Sequence, residues 1–210
     1  MFSETWYSSP NLRKKWEAVV LDMDGTHDRS VQVPDPAALG PDAGGLSELD
    51  RRLLAEADQL YISSYTHTVD AKGRMVVPQV FRQMLGSSFY IAPSYDFTAV
   101  GLYTKLEWAR TRYRYASVDP LDGDVREWVE FFNAYSYGNQ ECDGQGRVLL
   151  PTNLREALLG DEKELIVSGA DNYVRITGAK ANAERFKQFR GRAPEIMSNM
   201  SRLQAMRRGS

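Results

Sequence analysis

Two arginines stand where their side chains could do recognition chemistry. Arg74 directly follows Gly73 and Arg147 directly follows Gly146, with Asp70 and Asp143 three residues before the glycines. A guanidinium is a planar fork of N–H donors. It can bridge both acceptors of a guanine edge in the major groove, or hold a backbone phosphate. Lys72 adds a second cation beside the first arginine, and Arg82 and Arg155 recur eight residues downstream of each. A second role is open for the same groups: Arg74 and Arg147 could pair with Asp70 and Asp143 and staple the turns. Arg82 and Arg155 suit phosphate contacts or salt bridges between the two segments.

The elements that position these side chains follow from their neighbours. Gly73 tolerates φ > 0, so the chain can reverse there, and Asp70 can accept N–H bonds inside the turn. An alternating run from Tyr61 to Val69 leads in, and Pro78 opens an amphipathic segment that reaches Leu85. The expected order is strand, tight turn, short strand, short helix. The segment from Asp143 repeats it at a constant offset of 73 residues, with six identities over sixteen positions. Asp70, Gly73, Arg74, Pro78, Arg82 and Leu85 become Asp143, Gly146, Arg147, Pro151, Arg155 and Leu158. Each copy is followed by a β-rich pair, Phe89–Tyr103 and Glu164–Thr177, and then a helix-compatible segment. The chain is internally duplicated.

Two copies of D-x-x-G-R followed by a hydrophobic run and Pro resemble the MraZ family, a doubled form of the AbrB-type swapped-hairpin fold. The resemblance covers roughly residues 61 to 189. It implies an α+β fold in which two tandem β-hairpin-plus-helix repeats form a pseudo-symmetric swapped-hairpin barrel. It further implies a DNA-binding transcriptional regulator of bacterial cell-division and cell-wall genes. Such a regulator binds direct repeats in double-stranded promoter DNA upstream of its own operon, as a ring-shaped homo-oligomer, with no cofactor and no enzymatic activity. The family's DNA-contacting arginines correspond to Arg74 and Arg147, with Lys72 beside the first. Gln145 replaces the lysine in the second copy, so that loop carries less positive charge. An AbrB-type antitoxin is the alternative, although such proteins usually carry one motif copy and a disordered tail.

The implied organisation is an N-terminal extension (1–60), a first repeat (61–118), a linker helix with the second repeat (119–189) and a basic tail (190–210). Within the extension, Ala18 to Thr26 resembles the first motif of haloacid-dehalogenase-type phosphatases, whose two aspartates would be Asp22 and Asp24. Pro34-Asp35-Pro36 and a Gly/Pro-rich stretch follow, in place of long crossover helices, so the plainer expectation is a strand and a D-G turn. Ser47 to Asp50 reads as a capping-box variant, opening a helix with Leu46, Leu49, Leu53, Ala57 and Leu60 on one stripe.

Composition is permissive. The 210 residues, 42% apolar, can bury one or two cores, and no stretch matches a membrane span or a secretory signal. The lone Cys142 excludes an intramolecular disulfide and suits a small buried residue; a cytoplasmic, nucleoid-associated protein is expected. The net charge of −2 averages unlike parts. Residues 1–60 hold 6 basic and 11 acidic side chains, whereas 190–210 hold 5 and 1. Local potential, not the total, governs polyanion binding. Helices are expected over Lys105–Ser117, bearing Arg110, Arg112 and Arg114, and over Asp124–Ala134. His67 reads as a strand residue. Trp128 and Phe132 on one helix, with Leu106 and Tyr113 on the other, are expected to form apolar faces left for burial between subunits. The tail, with Arg190, Arg192, Arg202, Arg207 and Arg208, suits either a mobile basic extension or an amphipathic helix.

Overall fold

A computed structural model of the chain describes residues 48–119 and 121–208. The Asp22/Asp24 motif, the Gly/Pro-rich stretch and the Ser47 cap lie outside them. Helix α1 (Glu48–Ala57) belongs to a unit ending at Asp58, separate from the unit that begins at Gln59. Its first-turn Glu48 pairs with Arg51 and Arg52 at 3.6 and 3.4 Å, one helical turn apart.

The second unit runs β1 (Ser64–Thr68), β2 (Arg74–Val76), α2 (Gln79–Leu85), β3 (Phe89–Pro93), β4 (Val100–Tyr103) and α3 (Lys105–Ala116). It then runs α4 (Gly123–Ala134), β5 (Tyr137–Gln140), β6 (Arg147–Leu149), α5 (Thr152–Leu159), β7 (Glu164–Gly169), β8 (Val174–Gly178) and α6 (Ala179–Arg208). The duplication read from the sequence is visible in this order: β1-β2-α2-β3-β4-α3 is answered by β5-β6-α5-β7-β8-α6. The class is α+β.

The two copies exchange strands. β3 and β4 form a hairpin, as do β7 and β8, but β1 of the first copy pairs with β7 of the second, and β5 of the second pairs with β3 of the first. A six-stranded antiparallel sheet results, in the order β1-β7-β8-β4-β3-β5. Exchanging the copies maps that order onto itself. The expected barrel does not close among the described residues: β1 and β5 are free edges, and β2 and β6 form their own two-stranded ribbon. Beneath the sheet, α2 and α5 contribute Phe81, Leu85, Leu154 and Leu159 to one core with Ile91, Leu102, Val167 and Ile176, all at most 5% exposed. Proline at the N-cap and glycine at the C-cap bound both short helices, Pro78 with Gly86 and Pro151 with Gly160.

A second cluster corrects one expectation. Phe132 is fully buried, and Trp128 and Trp108 stack on it with ring centroids 4.7 and 6.1 Å away. The indole N–H groups donate to Tyr95 O and Ser136 Oγ at 3.0 and 2.8 Å. Helices α3 and α4 therefore bury Phe132 between each other and the β3–β4 hairpin, within one chain, while Trp128 packs on it half-buried and keeps an open face. Leu106 and Tyr113 remain 57% and 59% exposed. The tail is helical: α6 runs without a break through position 190.

One charge is buried in this frame. Arg175 in β8 is 5% exposed; its guanidinium donates to Tyr173 Oη at 3.2 Å and to Thr98, and lies 3.4 Å from Asp96 Oδ1. Burial opposes ionisation of Asp96, but hydrogen bonds from Ser94 and Thr98, with the Arg175 charge, bring its carboxyl down to about 2. A folded value below the ordinary carboxylate value of about 3.9 stabilises the fold above that pH and is lost as pH falls through about 2. Asp96→Ala strands a buried guanidinium. It should cost on the order of 2 kcal/mol in urea unfolding at pH 7, below the ~3–5 of a fully buried pair, because Asp96 keeps solvent contact. The wild-type and variant stabilities should converge as the pH approaches 2.

Candidate nucleic-acid interface

Each turn is built around its aspartate. Asp70 Oδ1 accepts the backbone N–H of Lys72 and of Arg74, both at 2.9 Å, while Asp70 Oδ2 accepts Arg74 Nε at 2.9 Å and Nη2 at 2.8 Å. The main chain closes the turn from Gly73 N to Asp70 O (2.9 Å) and from Asp70 N to Arg74 O (2.8 Å). Asp143 repeats the set with Gln145 and Arg147, at 2.9 Å for each N–H and for Nε, and 2.8 Å for Nη2. The staple foreseen for Arg74 and Arg147 is thus present in both turns. Gly73 and Gly146 take φ of +82° and +74°, as the reversal demands. The backbone N–H bonds, led by that of Arg147, hold the Asp143 carboxyl down to about 2, and those led by Arg74 lower Asp70. Both turns therefore keep their carboxylates ionised throughout the neutral and mildly acidic range.

The two turns lock onto each other. β2 and β6 pair antiparallel, with Arg74 opposite Leu149, Met75 opposite Val148 and Val76 opposite Arg147. Val77 N donates to Gly146 O at 3.0 Å, and Leu150 N donates to Gly73 O at 2.9 Å. Met75 and Val148 point into the core, 1% and 2% exposed. Strand alternation then puts Arg74, Val76, Arg147 and Leu149 on the outer face, with the arginines at diagonal positions. The helix arginines cross between copies: Arg155 packs over Gly73, where a Cβ would meet its Nη1 at 3.1 Å, and a Cβ on Gly146 would collide with the guanidinium of Arg82. Neither makes an ion pair with the opposite turn among the described residues; Arg155 lies 4.0 Å from its neighbour Glu156. Lys72 and Gln145 are exposed at the turn tips.

The family model described as "MraZ protein, putative antitoxin-like" matches residues 133–189. The chain is 37% identical to a transcriptional regulator MraZ of Acetivibrio thermocellus over 117 residues, covering 56% of this chain and 80% of that protein. It is 34% identical to the one from Limosilactobacillus fermentum, over 64% of this chain and 89% of that protein. Against the one from Ligilactobacillus salivarius the identity is 35%, over 68% and 94%. The chain belongs to the MraZ family. The family model spans β5 to the start of α6, which includes the second turn; the first turn reproduces its geometry bond for bond.

Within this MraZ-family frame the structure gathers all five basic residues singled out by sequence around one ribbon: Arg74 and Arg147 on its outer face, Lys72 at a tip, Arg82 and Arg155 crossing beneath. Sequence reasoning missed Val76 and Leu149 as outer-face residues, 38% and 56% exposed, although their position two after each arginine on a strand signals it. It also missed the crossing of Arg82 and Arg155, which depends on pairing between copies. Cys142 is free and half-buried, and burial raises its thiol pKa, in keeping with a packing residue. No group among the described residues could hold a metal ion, and none of their helices is long and apolar enough to cross a membrane. Gly146→Ala should lose about 1–2 kcal/mol from φ strain and further stability from displacing Arg82. Gly144→Ala, with nothing within 4 Å of the new carbon, should stay within about 0.5 kcal/mol in the same urea titration.

Proposed function

We propose that this protein is a sequence-specific DNA-binding transcriptional regulator whose β2–β6 ribbon enters the major groove. The observation that carries the reading is the outer face itself: two arginines, diagonal on a two-stranded ribbon, each held in plane by an aspartate. A ribbon of this width fits the major groove. The carboxylate contact engages Nε and Nη2 of each arginine through one oxygen. It does not use the end edge of the guanidinium, Nη1 with the second Nη2 hydrogen, which is the edge that grips guanine O6 and N7. Staple and reader are therefore compatible, and the staple removes rotamer freedom before DNA arrives. Lys72, Arg82 and Arg155 supply phosphate contacts in this reading. The relatives' name, transcriptional regulator, supports it.

The strand exchange is read here as a swapped-hairpin arrangement satisfied inside one chain. The wider reading follows the family resemblance: direct repeats upstream of the protein's own operon, cell-division and cell-wall genes as targets, a ring-shaped homo-oligomer, association with the nucleoid, and no enzymatic role. Footprinting on the DNA upstream of the protein's own gene tests the core of it. Arg74→Lys and Arg147→Lys keep the charge and lose the fork, so each should weaken specific binding by about 1–3 kcal/mol, roughly 5- to 150-fold, and leave nonspecific affinity unchanged. Lys72→Ala should instead reduce the salt dependence by about 0.9 in slope for one phosphate contact. Unchanged footprints from both arginine variants would refute the assignment.

A further inference from the structure

Helix α6 is 30 residues, about 45 Å, yet only its first turns pack on β7 and β8. From Ala183 to Arg207 every residue is exposed except Ala193 and Ile196, which are half-buried. Six of its apolar residues fall on one stripe, with Met197 and Met206 beside it and Pro194 inside the helix. Phe186, Ala193 and Met200 recur every seven residues, as do Phe189, Ile196 and Leu203, the two series three residues apart. That is the a/d stripe of a helix that packs along another surface. Phe186, Phe189, Met200 and Leu203 are 59%, 53%, 49% and 63% exposed.

The flanks of the stripe say what it does not pair with. Arg185 and Arg192 occupy one flank and Arg190 the other. Two α6 helices laid together, parallel or antiparallel, bring arginine against arginine, and like charges at these positions select against that pairing. The stripe calls for an apolar groove with an acidic rim.

The fold contains one. A groove of about 450 Å³ runs between α4, α5 and the β3–β4 hairpin; Phe97, Trp128, Phe131, Leu154 and Leu158 line it, with Asp124 and Glu127 at its edge. Phe131 is 46% exposed there. No residue of α6 lines it, so the chain's own helix does not fill it.

We infer that the exposed stripe of α6 docks into the α4/α5 groove of a second copy of this chain, its arginines against Asp124 and Glu127. A helix-to-groove contact joins two different patches. It is heterologous, each subunit keeps one free helix and one free groove, and copies add head to tail until the rotation closes them. The inference rests on the assembly part of the proposed function and is independent of DNA binding.

Complementation between two surface variants of the full chain tests it. The helix variant is Phe186→Ser with Phe189→Ser and Leu203→Ser; the groove variant is Glu127→Lys with Phe131→Ser. All five positions are exposed, and far-UV circular dichroism should match the wild type. By light scattering at micromolar concentration, the wild type should exceed a dimer and each variant alone should fall to the mass of one chain. A mixture should form a one-to-one complex of twice that mass, since it contains one intact helix–groove pair. Loss of assembly by the helix variant alone, with the groove variant still large, would overturn the inference in favour of α6 self-pairing. Two variants as large as the wild type would overturn this interface while leaving the ring standing. A monomeric wild type would overturn both.

Discussion

The unit from Gln59 onward depends on the reciprocal bonding of two turns. Gly73 O accepts Leu150 N–H, Gly146 O accepts Val77 N–H, and β2 and β6 pair between these bonds. A three-residue strand has too few ladder bonds to persist alone. Each turn supplies the partner strand the other lacks, and each helix arginine covers the other turn's glycine. The consequence spreads outward. Once the turns are paired, β1 must run to β7 and β5 to β3, so neither copy holds a complete sheet of its own. The two copies should fold as one cooperative unit, and the 73-residue spacing is what lets a single chain supply both halves.

The two aspartates turn that scaffold into a surface with fixed chemistry. Each carboxylate spends one oxygen on two backbone N–H groups and the other on the arginine, so the geometry of the turn and the direction of the side chain are a single constraint. A long side chain that ordinarily loses about 2 kcal/mol of rotamer freedom on binding has given it up in advance. In the reading proposed here, the outer face offers DNA two oriented guanidiniums with an aliphatic side chain opposite each. The overall charge of −2 is no obstacle, because attraction is set by the cations gathered at the ribbon.

Much of this was legible from the sequence, and the limits have physical causes. The turns, the short helices after Pro78 and Pro151, the β3–β4 hairpin, α3 and α4 all follow local rules of backbone freedom and periodicity, and they appear within two residues of where those rules put them. The duplication was legible because six residues recur at a constant offset of 73, among them the glycines whose positive φ the turns require. What could not be read was which strands pair. Sequence alone left the role of Arg74 open between staple and reader, because nothing in D-x-x-G-R says which edge of the guanidinium the aspartate takes. Phe132 was misplaced for a similar reason: helical spacing shows that a face is apolar, and only the docking of α3 on α4 shows that the same chain covers this ring. The barrel expected by resemblance is an open sheet and a ribbon, since closure depends on edges that no local pattern encodes.

The central claim is that the paired turns, as one surface, are where DNA is held. Hydrogen–deuterium exchange of the full chain, with and without duplex DNA from upstream of its own gene, addresses it directly. The account predicts that peptides spanning 70–78 and 143–151 gain protection together on DNA binding, while α3 and the far end of α6 change little. Protection confined to one of the two turns, or centred on α3 or α6 with the ribbon unaffected, would contradict it.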